Sequence, residues 1–244
     1  MNVEILRFSD WTSPVPPVQR EVLSAEPPAG ENQPPILFVP GPGHGARIFA
    51  EHWLGHTASR GWEAHAVSAR AGGDLRAYAH DVVQVAAGLP RQTVLVGHGA
   101  GALIVARALG RYPARAAVLV APVLDRWATL GAALRVNPAG ALPAVFGGKL
   151  RLNRRQLGAD PAGIQPARLP AERRLPAPVG GPPVLIVGSP DDRVVPRSSL
   201  DRTAARYGGA PLLFPGMGHQ LMLQPNWVEP IDAILDWLAK ELAG

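Results

Sequence analysis

The sequence predicts an α/β protein built on a mostly parallel, doubly wound sheet. Two observations carry that expectation. Short apolar runs alternate with segments of helical apolar spacing along nearly the whole chain, as strands joined by crossover helices require. Runs such as Pro35–Val39 and Thr93–Gly97 are apolar throughout rather than at every second position, as strands covered on both faces must be.

The elements follow in order. Val3–Phe8 and Arg20–Ala25 alternate in polarity and read as an early antiparallel pair, joined by a turn rich in Pro14, Pro16 and Pro17. Pro35–Val39 is a buried strand that ends in a Gly/Pro loop, Pro40–Gly45. A helix is expected over Arg47–Ser59, stopping before Gly61, then a strand over Trp62–Ala69 and a helix over Leu75–Leu89 closed by Pro90. Thr93–Gly97 is a strand that turns sharply at Gly97-His98-Gly99-Ala100-Gly101 into a helix over Ala102–Tyr112. Ala116–Ala121 is the next strand. From Leu124 to Pro178 the alternation fails: proline recurs and Gly147-Gly148 interrupts. It returns with the strand Val184–Val187, a helix about Arg197–Tyr207, a strand Pro211–Phe214 and a final amphipathic helix Trp227–Leu242. The expectation is one domain over residues 1–244 with a short Pro- and Arg-rich cap insertion at about 124–178. That insertion falls beside the strand ends where open α/β sheets bind ligands.

Composition narrows the chemistry. The 244 residues suffice for one large core. Cysteine is absent, which excludes disulfides, a thiolate nucleophile and Cys-based metal sites. The net charge is +5, and nine basic residues against three acidic ones between Leu124 and Pro178 account for the whole excess. Aromatic residues are sparse there (Trp127, Phe146), so no nucleic-acid partner is expected. No apolar stretch approaches the roughly 20 residues that span a bilayer. The N-terminus lacks a basic region followed by an apolar run. A cytoplasmic location with no membrane partner is expected. Neither H-E-x-x-H nor a Gly-rich nucleotide loop occurs, so no metal and no cofactor are expected.

Four segments, each at the end of an expected strand, carry a family resemblance. They are Phe38-Val39-Pro40-Gly41-Pro42-Gly43-His44-Gly45, Val96-Gly97-His98-Gly99-Ala100-Gly101, Gly188-Ser189-Pro190-Asp191-Asp192-Arg193-Val194-Val195-Pro196, and Gly216-Met217-Gly218-His219 before a Trp-bearing helix. In order and spacing they resemble the oxyanion loop, nucleophile elbow, acid turn and histidine loop of the α/β-hydrolase family. The resemblance runs from about Pro35 to the C-terminus, apart from most of the insertion. It implies the α/β-hydrolase fold, with His219 as base and Asp192 as its acid, Asp191 being the alternative.

The sequence departs from the family at three places. Gly99 stands at the nucleophile position and offers no side chain. Pro40 replaces the loop's first His. Of the two oxyanion donors the resemblance implies, Ala100 keeps its amide, whereas Pro42, after Gly41, has no N–H. One lost donor costs acyl transfer on the order of 3 kcal/mol. These departures suggest a non-hydrolytic enzyme of a biosynthetic pathway for secondary metabolites or modified peptides. His219 and Asp192 would move protons in epimerisation, isomerisation or cyclisation. Two other readings stand beside it: a pseudo-hydrolase that only binds a small molecule or peptide, and a serine esterase carrying a Ser-to-Gly change at position 99. The partner is expected to be a small molecule or peptide. His44 and His98 are candidates to contact it, and Arg151, Arg154 and Arg155 to meet an acidic group on it.

Overall fold

The computed structural model describes residues 14–28, 33–41, 44–70, 72–158, 168 and 174–243. Seven strands form one sheet: β1 Val22–Ala25, β2 Ile36–Val39, β3 Ala64–Val67, β4 Val94–His98, β5 Ala116–Val120, β6 Val184–Gly188 and β7 Leu212–Leu213. Their order is β1-β3-β2-β4-β5-β6-β7, and only β1 runs antiparallel, against β3. The partner expected for it, Val3–Phe8, lies outside the described residues.

Side chains alternate across the sheet, and each set meets its own layer of helices. Ile36, Phe38, Val94 and Val96 face α1 (Arg47–Ala50), α2 (Trp53–Ser59) and α9 (Val228–Leu242) through Phe49, Trp53, Ile231, Ile234 and Leu238. Leu37, Val39 and Leu95 face α3 (Leu75–Gly88), α4 (Ala100–Ala108) and α8 (Arg197–Arg206) through Val82, Ile104, Leu200 and Ala204. The sheet is therefore doubly wound, and strands buried on both faces explain the continuous apolar runs. Among the described residues no helix is long and apolar enough to cross a membrane.

Two expectations change. The helix expected over Arg47–Ser59 is two helices, because His52 leaves helical geometry at φ −136°. The insertion read as irregular contains α5 Arg126–Val136, α6 Pro138–Val145 and α7 Arg154–Leu157. Each starts at a polar cap. The side chains of Asp125, Asn137 and Asn153 accept the amide hydrogens of Ala128, Gly140 and Gln156, and Asn153 forms a reciprocal capping box with Gln156. Leu130, Ala133, Ala141, Ala144 and Leu150 form a small separate core. Alanines make so weak an apolar stripe that spacing alone does not reveal these helices.

Candidate active site

The turn from β4 into α4 brings the backbone closest to its neighbours. A Cβ on Gly101 would stand 2.7 Å from the carbonyl carbon of Pro40 and closer still to the carbonyl oxygen of Val39. One on Gly97 would lie 2.7 Å from the Ala102 Cα. Only glycine allows α4 to start so close to β2. Between them Gly99 takes φ 58° and ψ −120°. Its N–H donates to the Val120 carbonyl and its own carbonyl accepts from Val123 N–H, both at 2.9 Å, which ties the turn to the end of β5. There Ala121, fully buried, holds a left-handed φ of 44°, a strained geometry of the kind that gathers around functional sites. The Gly99 position faces His219: a Cβ on Gly99 would sit 3.2 Å from His219 Nε2. Ala100 opens α4, whose first amides have no partner within the helix.

His219 is buried and its Nδ1 lies 2.8 Å from Asp192 Oδ2. A carboxylate only accepts, so Nδ1 carries the proton and the free lone pair of Nε2 faces Gly99. The other carboxylate oxygen of Asp192 accepts the amides of Val194 and Val195 at 2.7 and 3.1 Å, which fixes its orientation. Asp191 has a different task. Its Oδ2 accepts Gly216 N–H at 2.7 Å and so pins the turn before His219. Asp192 is thus the acid that reaches the imidazole.

Two more histidines line up behind. His98 Nε2–H donates to the His219 carbonyl at 3.0 Å, and their ring centres are 4.9 Å apart. Burial first, then the neighbouring His219 and His44, hold His98 well below the ordinary histidine pKa, so it is a neutral brace for the loop. The His44 ring stands edge-on to it at 6.3 Å. Gln220, fully buried and unforeseen from the sequence, donates its amide to His44 Nε2 at 3.3 Å. That contact puts the His44 proton on Nδ1, which is buried without a partner, as is Gln220 Oε1. The one sequence signal for Gln220 is a polar residue heading the apolar run Leu221–Leu223.

Burial, with a smaller contribution from His219, lowers His44 from 6.5 to about 4. Between those values the unfolded chain binds a proton that the folded chain refuses. Stability from this group is therefore complete above pH 6.5 and lost as pH falls toward 4, by up to about 3 kcal/mol. Melting temperature should fall over this range, and His44→Gln should flatten the slope. An unchanged slope in the variant would place the acid sensitivity elsewhere.

The remaining expected residues divide. Gly41 is buried against the elbow, where a Cβ would be 3.4 Å from Ala100 N. Pro42 lies outside the described residues. Arg151, Arg154 and Arg155 are exposed at the start of α7. The other end of α7 reaches the histidine loop: Gln220 N–H donates to the Leu157 carbonyl at 3.1 Å, and Gly158 packs on Gly218. Among the described residues no group of three or more His, Asp or Glu is placed to hold a metal ion.

Residues 36–234 match the Alpha/beta hydrolase family. The chain belongs to that family. No curated protein matches it in sequence. Solved structures share the fold at low identity. A soluble variant of monoglyceride lipase from Saccharomyces cerevisiae, in complex with a substrate analog, superposes with a TM-score of 0.69 at 13% identity, covering 93% of this chain and 96% of that one. The monoacylglycerol lipase of Paleococcus ferrophilus gives 0.68 at 16%, covering 92% and 100%. The esterase RhEst1 from Rhodococcus sp. ECU1013 gives 0.65 at 17%, covering 91% and 95%. These similarities overturn the expectation of a non-hydrolytic biosynthetic enzyme: several of the similar structures are lipases and esterases. That expectation rested on the departures at Gly99, Pro40 and Pro42, whereas the turn into α4, the Ala100 amide and the His219–Asp192 pair are all in place.

Proposed function

We propose that this α/β hydrolase lacks a catalytic serine and cleaves carboxylic esters by direct attack of water held on His219. The observation that carries this reading is the empty side-chain position at Gly99, 3.2 Å from the unprotonated Nε2 of His219. Water in that space donates a hydrogen bond to Nε2. As its oxygen attacks the ester carbonyl, the proton passes to His219 and Asp192 steadies the resulting imidazolium. The tetrahedral oxyanion accepts from Ala100 N–H. On collapse the leaving alcohol takes the proton from His219, and acid and alcohol depart. The names of the similar lipases and esterase support an ester as the substrate class.

The chain works as one domain in this proposal, with α5–α7 as its cap. Arg151, Arg154 and Arg155, exposed on the cap at the start of α7, favour substrates that carry an acidic group.

The test is hydrolysis of 4-nitrophenyl esters of several chain lengths by the protein and by Asp192→Asn. The variant keeps the side chain's size but turns an acceptor into a donor toward one of its partners. A loss of about a hundredfold in kcat is expected, less than removal of the base itself would cause. If every ester is cleaved equally fast by both proteins, the His219–Asp192 pair is not the hydrolytic centre.

A further inference from the structure

We infer that Ser24, His65 and Glu63 form a second nucleophilic site, on the β1–β3 pair and separate from His219, that accepts acyl or phosphonyl groups from small activated donors. Ser24 Oγ lies 2.8 Å from His65 Nδ1, and His65 Nε2 lies 2.9 Å from Glu63 Oε1. The carboxylate accepts only, so Nε2 carries the ring proton, and Nδ1 is left to accept the Ser24 hydroxyl. This is the order of roles that activates a serine: hydroxyl to base, base to acid.

The fold explains why the three residues meet. Ser24 stands directly opposite His65 in the antiparallel register. The amide of Ser68 donates to the Glu21 carbonyl at 2.9 Å, one pair beyond Val22 and Val67. Hydrogen-bonded pairs alternate along such a ladder, so Ser24 and His65 fall in a non-hydrogen-bonded pair, where side chains come closest. Glu63 precedes β3 and lies on the same face as His65, two residues on. Its second oxygen is 3.9 Å from Arg91 Nη2, while the first faces His65.

Burial is graded as a reactive site needs. His65 is 7% exposed in its side chain and Glu63 16%, whereas Ser24 is exposed. A cross-strand hydrogen bond alone would not need a buried imidazole backed by a carboxylate. The alternation that brings the side chains together also turns the Ser24 N–H away from β3. Among the described residues β1 is the outermost strand on that side of the sheet.

The step balances. Ser24 Oγ attacks the donor's carbonyl carbon while its proton passes to His65 Nδ1. The bond to the leaving alkoxide breaks, and that oxygen takes the proton from His65, leaving an ester on Ser24 and a free alcohol. A fluorophosphonate reacts likewise at phosphorus and releases fluoride. The exposed position suits small or extended donors.

The experiment is labelling of the full chain with a fluorophosphonate probe, followed by peptide mass spectrometry over time. Ser24 should label at least about tenfold faster than Ser59, an exposed serine whose hydroxyl donates only to a backbone carbonyl. Ser24→Ala should abolish that label, and His65→Gln should slow it about a hundredfold. Glu63→Gln, at a partly exposed position, should slow it about tenfold and serves where the buried variant folds poorly. His219→Ala should leave Ser24 labelling unchanged while ester turnover falls, so the two sites fail independently. Labelling of Ser24 no faster than Ser59, or equally fast in well-folded His65→Gln or Glu63→Gln, would reduce the trio to a structural pairing and overturn the site.

Discussion

His219→Ala should lower kcat for ester hydrolysis by on the order of a thousandfold. In the proposed reaction the ring supplies the lone pair 3.2 Å from the Gly99 space, and with no hydroxyl there the nucleophile is water. Water at neutral pH is a poor nucleophile unless a base removes its proton in the transition state, so the base carries more of the reaction than it would beside a serine. Binding should change little, because Ala100 N–H and the α4 amides remain. A fall in kcat with near-constant KM is therefore expected. The substitution also leaves the buried Asp192 Oδ2 without its partner, which costs stability about 1–3 kcal/mol. Rates must be compared at a temperature where both proteins are folded, checked by circular dichroism. Equal kcat in the folded variant would remove His219 from the mechanism. A large rise in KM with constant kcat would recast the ring as a binding contact.

Much of the fold was legible because its cause is local in sequence. Pro35–Val39, Thr93–Gly97 and Ala116–Ala121 are apolar because both faces of the sheet are covered, and the strands lie within a residue or two of those runs. The break at His52 was not legible, because apolar spacing continues across it from Phe49 to Trp53 and Leu54 while the backbone turns. The insertion hid its helices for another reason: α6 holds Pro143 and is built of small residues whose burial depends on α5. At the candidate site, the resemblance pointed to His219, Asp192 and Gly99 through motifs at the strand ends, and the structure sets His219 between the other two. The choice between Asp191 and Asp192 needed coordinates, since adjacent aspartates differ only in which way the turn aims them. Gln220 against His44, and His98 against the His219 carbonyl, join residues more than a hundred positions apart. Ser24 and His65 depend on strand register, which spacing within one strand cannot supply. The functional error had a similar root. The departures at Gly99, Pro40 and Pro42 were weighed without the His–Asp pair and the elbow that still surround them.

Gly101→Ala should be the most damaging single methyl among the described glycines, whereas Gly99→Ala should fold and lose activity. At Gly101 the added Cβ meets backbone on two sides, the carbonyls of Val39 and Pro40, neither of which has a rotamer to escape through. Relief requires α4 to move off β2, and both are packed in the larger cores. Overpacking against fixed backbone costs about 3 kcal/mol or more. For a domain of this length that is a fall of about 10 °C in melting temperature, readable by calorimetry. At Gly99 the nearest atom is the His219 ring at 3.2 Å, which can give by a few tenths of an ångström. The remaining cost is the positive φ of 58°, about 1–2 kcal/mol for a residue with a side chain. The methyl would occupy the space proposed for water, so kcat should fall at least about tenfold in a protein that still melts cooperatively. Comparing the two separates the glycine that shapes the elbow from the glycine that leaves room within it. If Gly99→Ala kept full activity, water would attack from another direction and the vacancy at Gly99 would have no part in hydrolysis.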